Sequence, residues 1–145
     1  MAGFGLSQKP IVMPHYPHML AEDTAVWSKY LAAPVVPITE VWYDVHVGRG
    51  MVPAADADGM LERIARGISR KRIDVVAKVP KGLWVVEIKP FGGMQALGQV
   101  VSYWRLFVEE FEPAVEVWPV IVCAEADGDL LGEFDSLGVV VISVG

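Results

Sequence analysis

Cysteine is nearly absent from this chain: Cys123 is the single one in 145 residues. No internal disulfide can form, and His15, His18 and His46 are too scattered for a Cys/His zinc spacing. Cys123 lies in an apolar stretch and is expected to act as a small core side chain. Long apolar runs are missing too. No segment reaches the length that crosses a bilayer, and the start MAGFGLSQKP lacks the charged and apolar regions of a signal peptide. A soluble, cytoplasmic protein with no membrane partner is expected. Positive charge is also scarce, with 12 Lys and Arg against 18 Asp and Glu, for a net charge of −6. Any contact with nucleic acid must therefore come from a local patch.

What is present argues for a folded protein. Hydrophobic residues make up 53% of the chain and aromatics 10%, enough for a substantial core in one domain spanning 1–145. Residues 1–19 carry Gly, Pro and His and read as an irregular arm. From Met19 to Ala33 a helical pattern places Leu20, Trp27 and Leu31 on one buried face, and Pro34 and Pro37 stop it. In Ile38–Gly48, Val41, Tyr43, Val45 and Val47 alternate with Glu40, Trp42, Asp44 and His46, the pattern of a half-buried strand. Asp44 and His46 are second-tier site candidates on its polar face.

Residues 49–70 read as a basic helical insertion, a loop followed by a helix over 60–70. There Arg63, Arg66 and Arg70 share one exposed stripe and, with Lys71 and Arg72, form the best phosphate-contact patch in the chain. Arg63, Arg66, Arg70, Lys71, Arg72, Lys78 and Lys81 are seven of the twelve basic residues.

The most informative stretch is KRIDVVAKVPKGLWVVEIKPFGGMQALGQVVSY, from Lys71 to Tyr103. It reads as two strands, a loop and a helix. A short turn at Val79–Gly82 makes the strands an antiparallel hairpin, pairing Lys78 near Leu83 and bringing Asp74 near Glu87. Leu83, Val85, Glu87 and Lys89 share one face of the second strand, and Trp84, Val86 and Ile88 the other. A buried carboxylate costs several kcal/mol unless it is paired or binds a metal. One acid beside Lys89 makes an ordinary ion pair; a second acid is what a divalent cation requires. On the following helix, from Met94 to Glu110, Gln95, Gln99 and Tyr103 recur every four residues on one stripe. Beyond it, EVWPVIVCA is an apolar strand in which Pro119 marks an edge, bulge or strand end. A turn at Asp127–Asp129, a short helix over Leu130–Leu137 and a last strand over Val139–Val144 complete an α/β (α+β) pattern with a mixed sheet flanked by helices.

In order, Asp74, Glu87-Ile88-Lys89 and Gln99-Val-Val-Ser-Tyr103 resemble the PD-(D/E)XK nuclease superfamily, and most closely its RecB-like exonuclease branch. Ile73 stands where the family pattern has proline. The resemblance implies a restriction-endonuclease-like αβββαβ core and Mg²⁺-dependent hydrolysis of DNA phosphodiesters, with Mn²⁺ able to substitute. Asp74 and Glu87 would hold the ion with the Ile88 carbonyl, and an acid on the first helix would add to them: Glu22 or Asp23, or Glu62 if the 60–70 helix is the first one. Lys89 would orient the attacking water, Gln99 would fix Lys89 or a phosphate, and Tyr103 would support the site or contact DNA, with Gln95 beside them. The small chain suggests a structure- or end-selective endo- or exonuclease serving recombination, repair or a phage or other mobile element. A homodimer through Trp118 or the last strand would let two sites cut both strands. Two rival readings remain: a non-cleaving DNA- or protein-binding module on the same fold, and an assembly protein.

Overall fold

The computed structural model describes residues 4–50, 59–60 and 70–145. The expected helix over 60–70, and with it Glu62, Arg63 and Arg66, falls almost wholly outside the described residues. A five-stranded mixed sheet forms the centre, in the order β1 (Glu40–Val47), β2 (Lys71–Val79), β3 (Gly82–Gly92), β4 (Glu116–Ala126), β5 (Val140–Ser143). The first three strands are an antiparallel meander, whereas β3–β4 and β4–β5 are parallel. Each parallel step needs a crossover. Helix α2 (Met94–Phe111) supplies the first, and a 3-10 turn (Gly128–Leu130) with α3 (Leu131–Ser136) the second.

Helices cover both faces, and so the central strands are apolar on both sides. On one face α1 (Ala21–Ala32) packs Val26, Trp27 and Tyr30 against Val75, Val86, Ile88 and Val120. On the other, Phe107 of α2 packs against Val76 and Val85, and Ala96 and Val100 against Ile121 and Cys123. Cys123 is buried, as its apolar neighbours suggested. Among the described residues no helix is long and apolar enough to cross a membrane.

Two expectations need correction, and a third holds with an addition. Leu20 does not join the buried face of α1: it sits at the N-cap and is exposed, while Tyr30 takes the core position. The arm is irregular but docked. Tyr16 is buried and hydrogen-bonds Ser28 through its hydroxyl, Phe4 packs on Trp42, Phe107 and Phe111, and Gln8 bridges to Val41 at the outer edge of β1. The alternation in β1 also breaks midway. Val41 and Tyr43 face α1, but Val45 and Val47 pack on the α2 side. The change falls at Asp44, whose φ of 53° is in the left-handed region. Its neighbour does the same: Val75 and Ala77 face α1, and Ile73 faces α2. The β1–β2 register runs through Tyr43↔Val75 and Val45↔Ile73, leaving Asp44 and Asp74 as an unpaired rung between them.

Pro119 lies just before the β4–β5 pairing begins at Val120↔Val140, at the strand end on that side. Gly82 closes the hairpin opposite Val79. A Cβ there would collide with the Glu116 carbonyl oxygen, so only glycine lets β4 lie this close.

Candidate active site

The β2–β3 turn sets the register expected from the sequence, with Lys78 opposite Leu83. Ladder pairing stops at Val75↔Val86, one rung before Asp74 and Glu87. There the Asp74 side chain takes over: its Oδ2 accepts the N–H of Ile88 at 2.9 Å. This bond ties the acid to the strand that carries Glu87 and Lys89. The two carboxyls lie within hydrogen-bonding reach of one another, and Lys89 Nζ stands 3.8 Å from Glu87 Oε1. Ile88 itself points into the α1-side core and brings only its backbone to the site.

The electrostatics follow from burial. Glu87 is 4% exposed and its Oε2 has no hydrogen-bond partner. Burial raises its pKa, the neighbouring Asp74 charge raises it further, and Lys89 offsets part of this. Asp74 is raised too, mainly by burial, with the Ile88 N–H pulling the other way. Two acids this close cannot both ionise cheaply, and the pair retains a proton to higher pH than free carboxyls do.

Helix α2 presents Gln99 and Tyr103 to this pair. Burial raises the Tyr103 hydroxyl, and the Glu87 and Asp74 charges add to the effect, whereas a hydrogen bond with Gln99 lowers it. Gln99 Oε1 is buried without a partner. Gln95, one turn earlier, is exposed. It lines an open cleft of about 480 Å³ between the N-termini of α1 and α2, together with Lys89, Phe91, Glu22, Asp23 and Asp127. Lys89 joins that cleft to the acid pair behind it.

The first-helix acid that faces the site is Asp23, not the exposed Glu22. Asp23 interacts with Lys89, Asp74 and Glu87, and its carboxyl is raised chiefly by burial, with Lys89 opposing. Glu22 lines the cleft and raises the Asp23 carboxyl further. One-residue steps on a helix turn a side chain by about 100°, which is why the sequence left these two open.

The basic patch also needs revision. Arg70 is not a free cation on a helical stripe. Its Nη2 binds both oxygens of Glu110, at 2.7 and 2.9 Å, while Nε and Nη2 donate to the Gly48 and His46 carbonyls. Lys71 is exposed, and Arg72 donates to His18. Sequence reasoning did not bring His18 to β1. Its partner Asp44, and His46 on the same carboxylate, stood out only by their i, i+2 spacing on the polar side of that strand.

Do these residues suit a hard cation? Among the described residues no group of three or more His, Cys, Asp or Glu is positioned to hold one. Asp74 and Glu87 make two, and both the partnerless Glu87 Oε2 and the raised pKa values mark a pair that the Lys89 ammonium does not fully offset. Two carboxylates fit Mg²⁺, which keeps several waters, better than a cation that demands a full protein cage. No protein-family model matches this chain, and neither does any curated protein or solved structure.

Proposed function

We propose that the chain is a divalent-metal-dependent nuclease of the PD-(D/E)XK type, hydrolysing DNA phosphodiester bonds. Support comes from the element order α1-β1-β2-β3-α2-β4, which runs as an αβββαβ core would. One observation carries the reading: Asp74 and Glu87, from neighbouring strands, meet beside Lys89 under the Gln99–Tyr103 stripe. A structural Glu–Lys pair explains Lys89 and Glu87 but not a second buried acid that makes Glu87 costlier to ionise.

On this reading Asp74, Glu87 and the Ile88 carbonyl hold Mg²⁺ or Mn²⁺. The bound ion would neutralise phosphate charge and bring a water toward hydroxide. Lys89 orients that water and steadies a phosphoryl oxygen as charge builds in the transition state. Gln99 offers a hydrogen bond to Lys89 or to a phosphate, and Tyr103 holds Gln99 in place. Asp23 sits across Lys89 and keeps its ammonium over the acids. The acid pair must release its shared proton before a cation binds, so metal affinity rises with pH.

Incubating the protein with Mg²⁺ or Mn²⁺ and single-stranded, duplex and branched DNA tests the proposal. Lys89→Ala is expected to stay folded and lose at least about 10²-fold in cleavage rate. Wild-type levels of cleavage in that variant would remove Lys89 from the mechanism. A second reading, a non-cleaving binding module, draws on the count of two carboxylates rather than three among the described residues. Binding of DNA without cleavage in any of these mixtures would favour it.

A further inference from the structure

Four side chains from three segments meet at the unpaired rung of the β1–β2 ladder. His18 Nε2 and His46 Nε2 both lie against Asp44 Oδ2, at 3.2 and 3.3 Å. Arg72 Nη1 donates to His18 Nδ1 at 2.9 Å. A guanidinium only donates, so His18 Nδ1 is the acceptor and its proton sits on Nε2, toward Asp44. His18 and Asp44 have φ of 57° and 53°, two of the three non-glycine residues with positive φ among the described residues. Strain of this kind persists where the surroundings hold it and clusters at functional sites.

Comparison with Arg70 indicates what this network does. Arg70 uses its guanidinium up on Glu110 and two carbonyls. Arg72 also has a carboxylate beside it, but its Nη1 lies 3.7 Å from Asp44 Oδ1, an ion pair beyond hydrogen-bonding distance. The imidazoles share Asp44 Oδ2, Oδ1 has no hydrogen-bond partner, and Arg72 spends one N–H on His18. Beyond that bond and the 3.7 Å ion pair of Nη1 with Asp44, its guanidinium makes no hydrogen bond among the described residues. A planar guanidinium held with its fork open suits a phosphate. Lys71 and Arg49 are exposed at the same end of the strands, where Glu110 is held by Arg70 and the Gly48 N–H. Arg72 is two residues from Asp74 along β2, about 7 Å.

We propose that Arg72 and His46, with His18 and Asp44 fixing their positions, form a phosphate subsite that seats a nucleic-acid backbone beside the Asp74–Glu87 pair. This deepens the nuclease reading and rests on it. The cationic subsite lies on the β1–β2 side of the acids, and His18, two residues before the cleft-lining Leu20, joins it to the cleft at α1 and α2, so the strand enters across β1 and β2.

The test is fluorescence anisotropy with a labelled single-stranded oligonucleotide, using Lys89→Ala protein to prevent cleavage, titrated between low and moderate salt. Adding Arg72→Gln should weaken binding by about tenfold and reduce the salt slope by about one, as expected for one lost phosphate contact. Arg72→Lys should restore the slope but not the full affinity. A purely structural Arg72 would lower the melting temperature and leave the slope unchanged, which would overturn the subsite. If Arg72→Gln does not fold, His46→Gln is read in the same titration, and unchanged affinity and slope there overturn it equally. Wild-type cleavage with no Arg72 effect sinks the subsite alone. An Arg72-dependent slope in a protein that cuts no DNA sinks the hydrolase reading alone.

Discussion

The two halves of the sheet are built to different standards. From Gly82↔Glu116 to Gly92↔Ala126, β3 and β4 pair with a single interruption in the register, at Pro90, and both strands are buried on two faces. In the meander half, β1 and β2 break at Asp44 and Asp74, and the β2–β3 ladder ends at the same rung. A continuous ladder satisfies its own backbone and leaves no group free for other work. A broken one needs side chains to complete it, and here those side chains are acids: Asp74 takes the Ile88 N–H, and Asp44 gathers two histidines. The candidate chemistry lies where regular pairing fails.

The largest expected effect falls on the broken half. Asp74→Ala removes a candidate metal ligand and should lower Mg²⁺-dependent cleavage by about 10³-fold or more, measured by single-turnover kinetics. It also orphans the Ile88 N–H, which should cost about 1–3 kcal/mol in urea unfolding. An Asp74→Ala protein that cuts at the wild-type rate would separate the broken rung from catalysis.

The regular half is expected to fail differently. Gly82→Ala drives a Cβ into the Glu116 carbonyl and should destabilise the fold by about 1–3 kcal/mol through overpacking. Activity per folded molecule should survive. If the variant unfolds at the wild-type urea concentration, β4 is not pressed against Gly82 as described.

Glu87→Gln sharpens the contrast through pH. The folded Glu87 keeps its proton to higher pH than the unfolded one, because burial and Asp74 oppose its charge. Its contribution to stability is therefore intact below the ordinary carboxylate range and is lost as pH rises through the raised folded value. A neutral amide escapes that loss. Unfolding free energies of wild type and variant, from urea titrations, should nearly coincide near pH 4 and diverge in the variant's favour toward pH 9, by about 1–3 kcal/mol. Divergence in the opposite direction would mean that Glu87 is stabilised as a carboxylate in the apo protein.

The smallest effect separates two glutamines on one stripe. Gln99→Ala strips Tyr103 of its partner and should slow cleavage by about tenfold. Gln95→Ala, at an exposed position on the cleft rim, should change stability by less than about 0.5 kcal/mol. Equal losses in the two variants would show that the helix contacts substrate along its whole first half.

Much of the fold was legible in local pattern. The hairpin register followed from a two-residue turn, Pro80-Lys81, between runs of apolar residues, and α2 followed from a four-residue repeat that begins after Gly92-Gly93. Asp74 near Glu87 was within reach for the same reason: short loops leave few registers. Other features depended on contacts distant in the chain. Arg70 looked like a free cation until Glu110, forty residues away, was seen to hold it. Leu20 looked like core because helical spacing does not reveal which residue is the cap. Period-two alternation hid the break at Asp44, since a left-handed residue reverses the faces without changing the letters that follow.

Among the described residues, the sequence alone determined which segments are extended or helical, which strands are buried on both sides, and that two acids and a lysine lie near one strand end. These are consequences of periodicity and short connections, each readable within a few dozen residues. Only the tertiary structure decided which first-helix acid faces Lys89, that Glu110 holds Arg70, and that the N-terminal arm brings His18 to Asp44. Those outcomes depend on backbone direction and on partners remote in sequence, and a one-residue change in either turns a side chain toward a different neighbour.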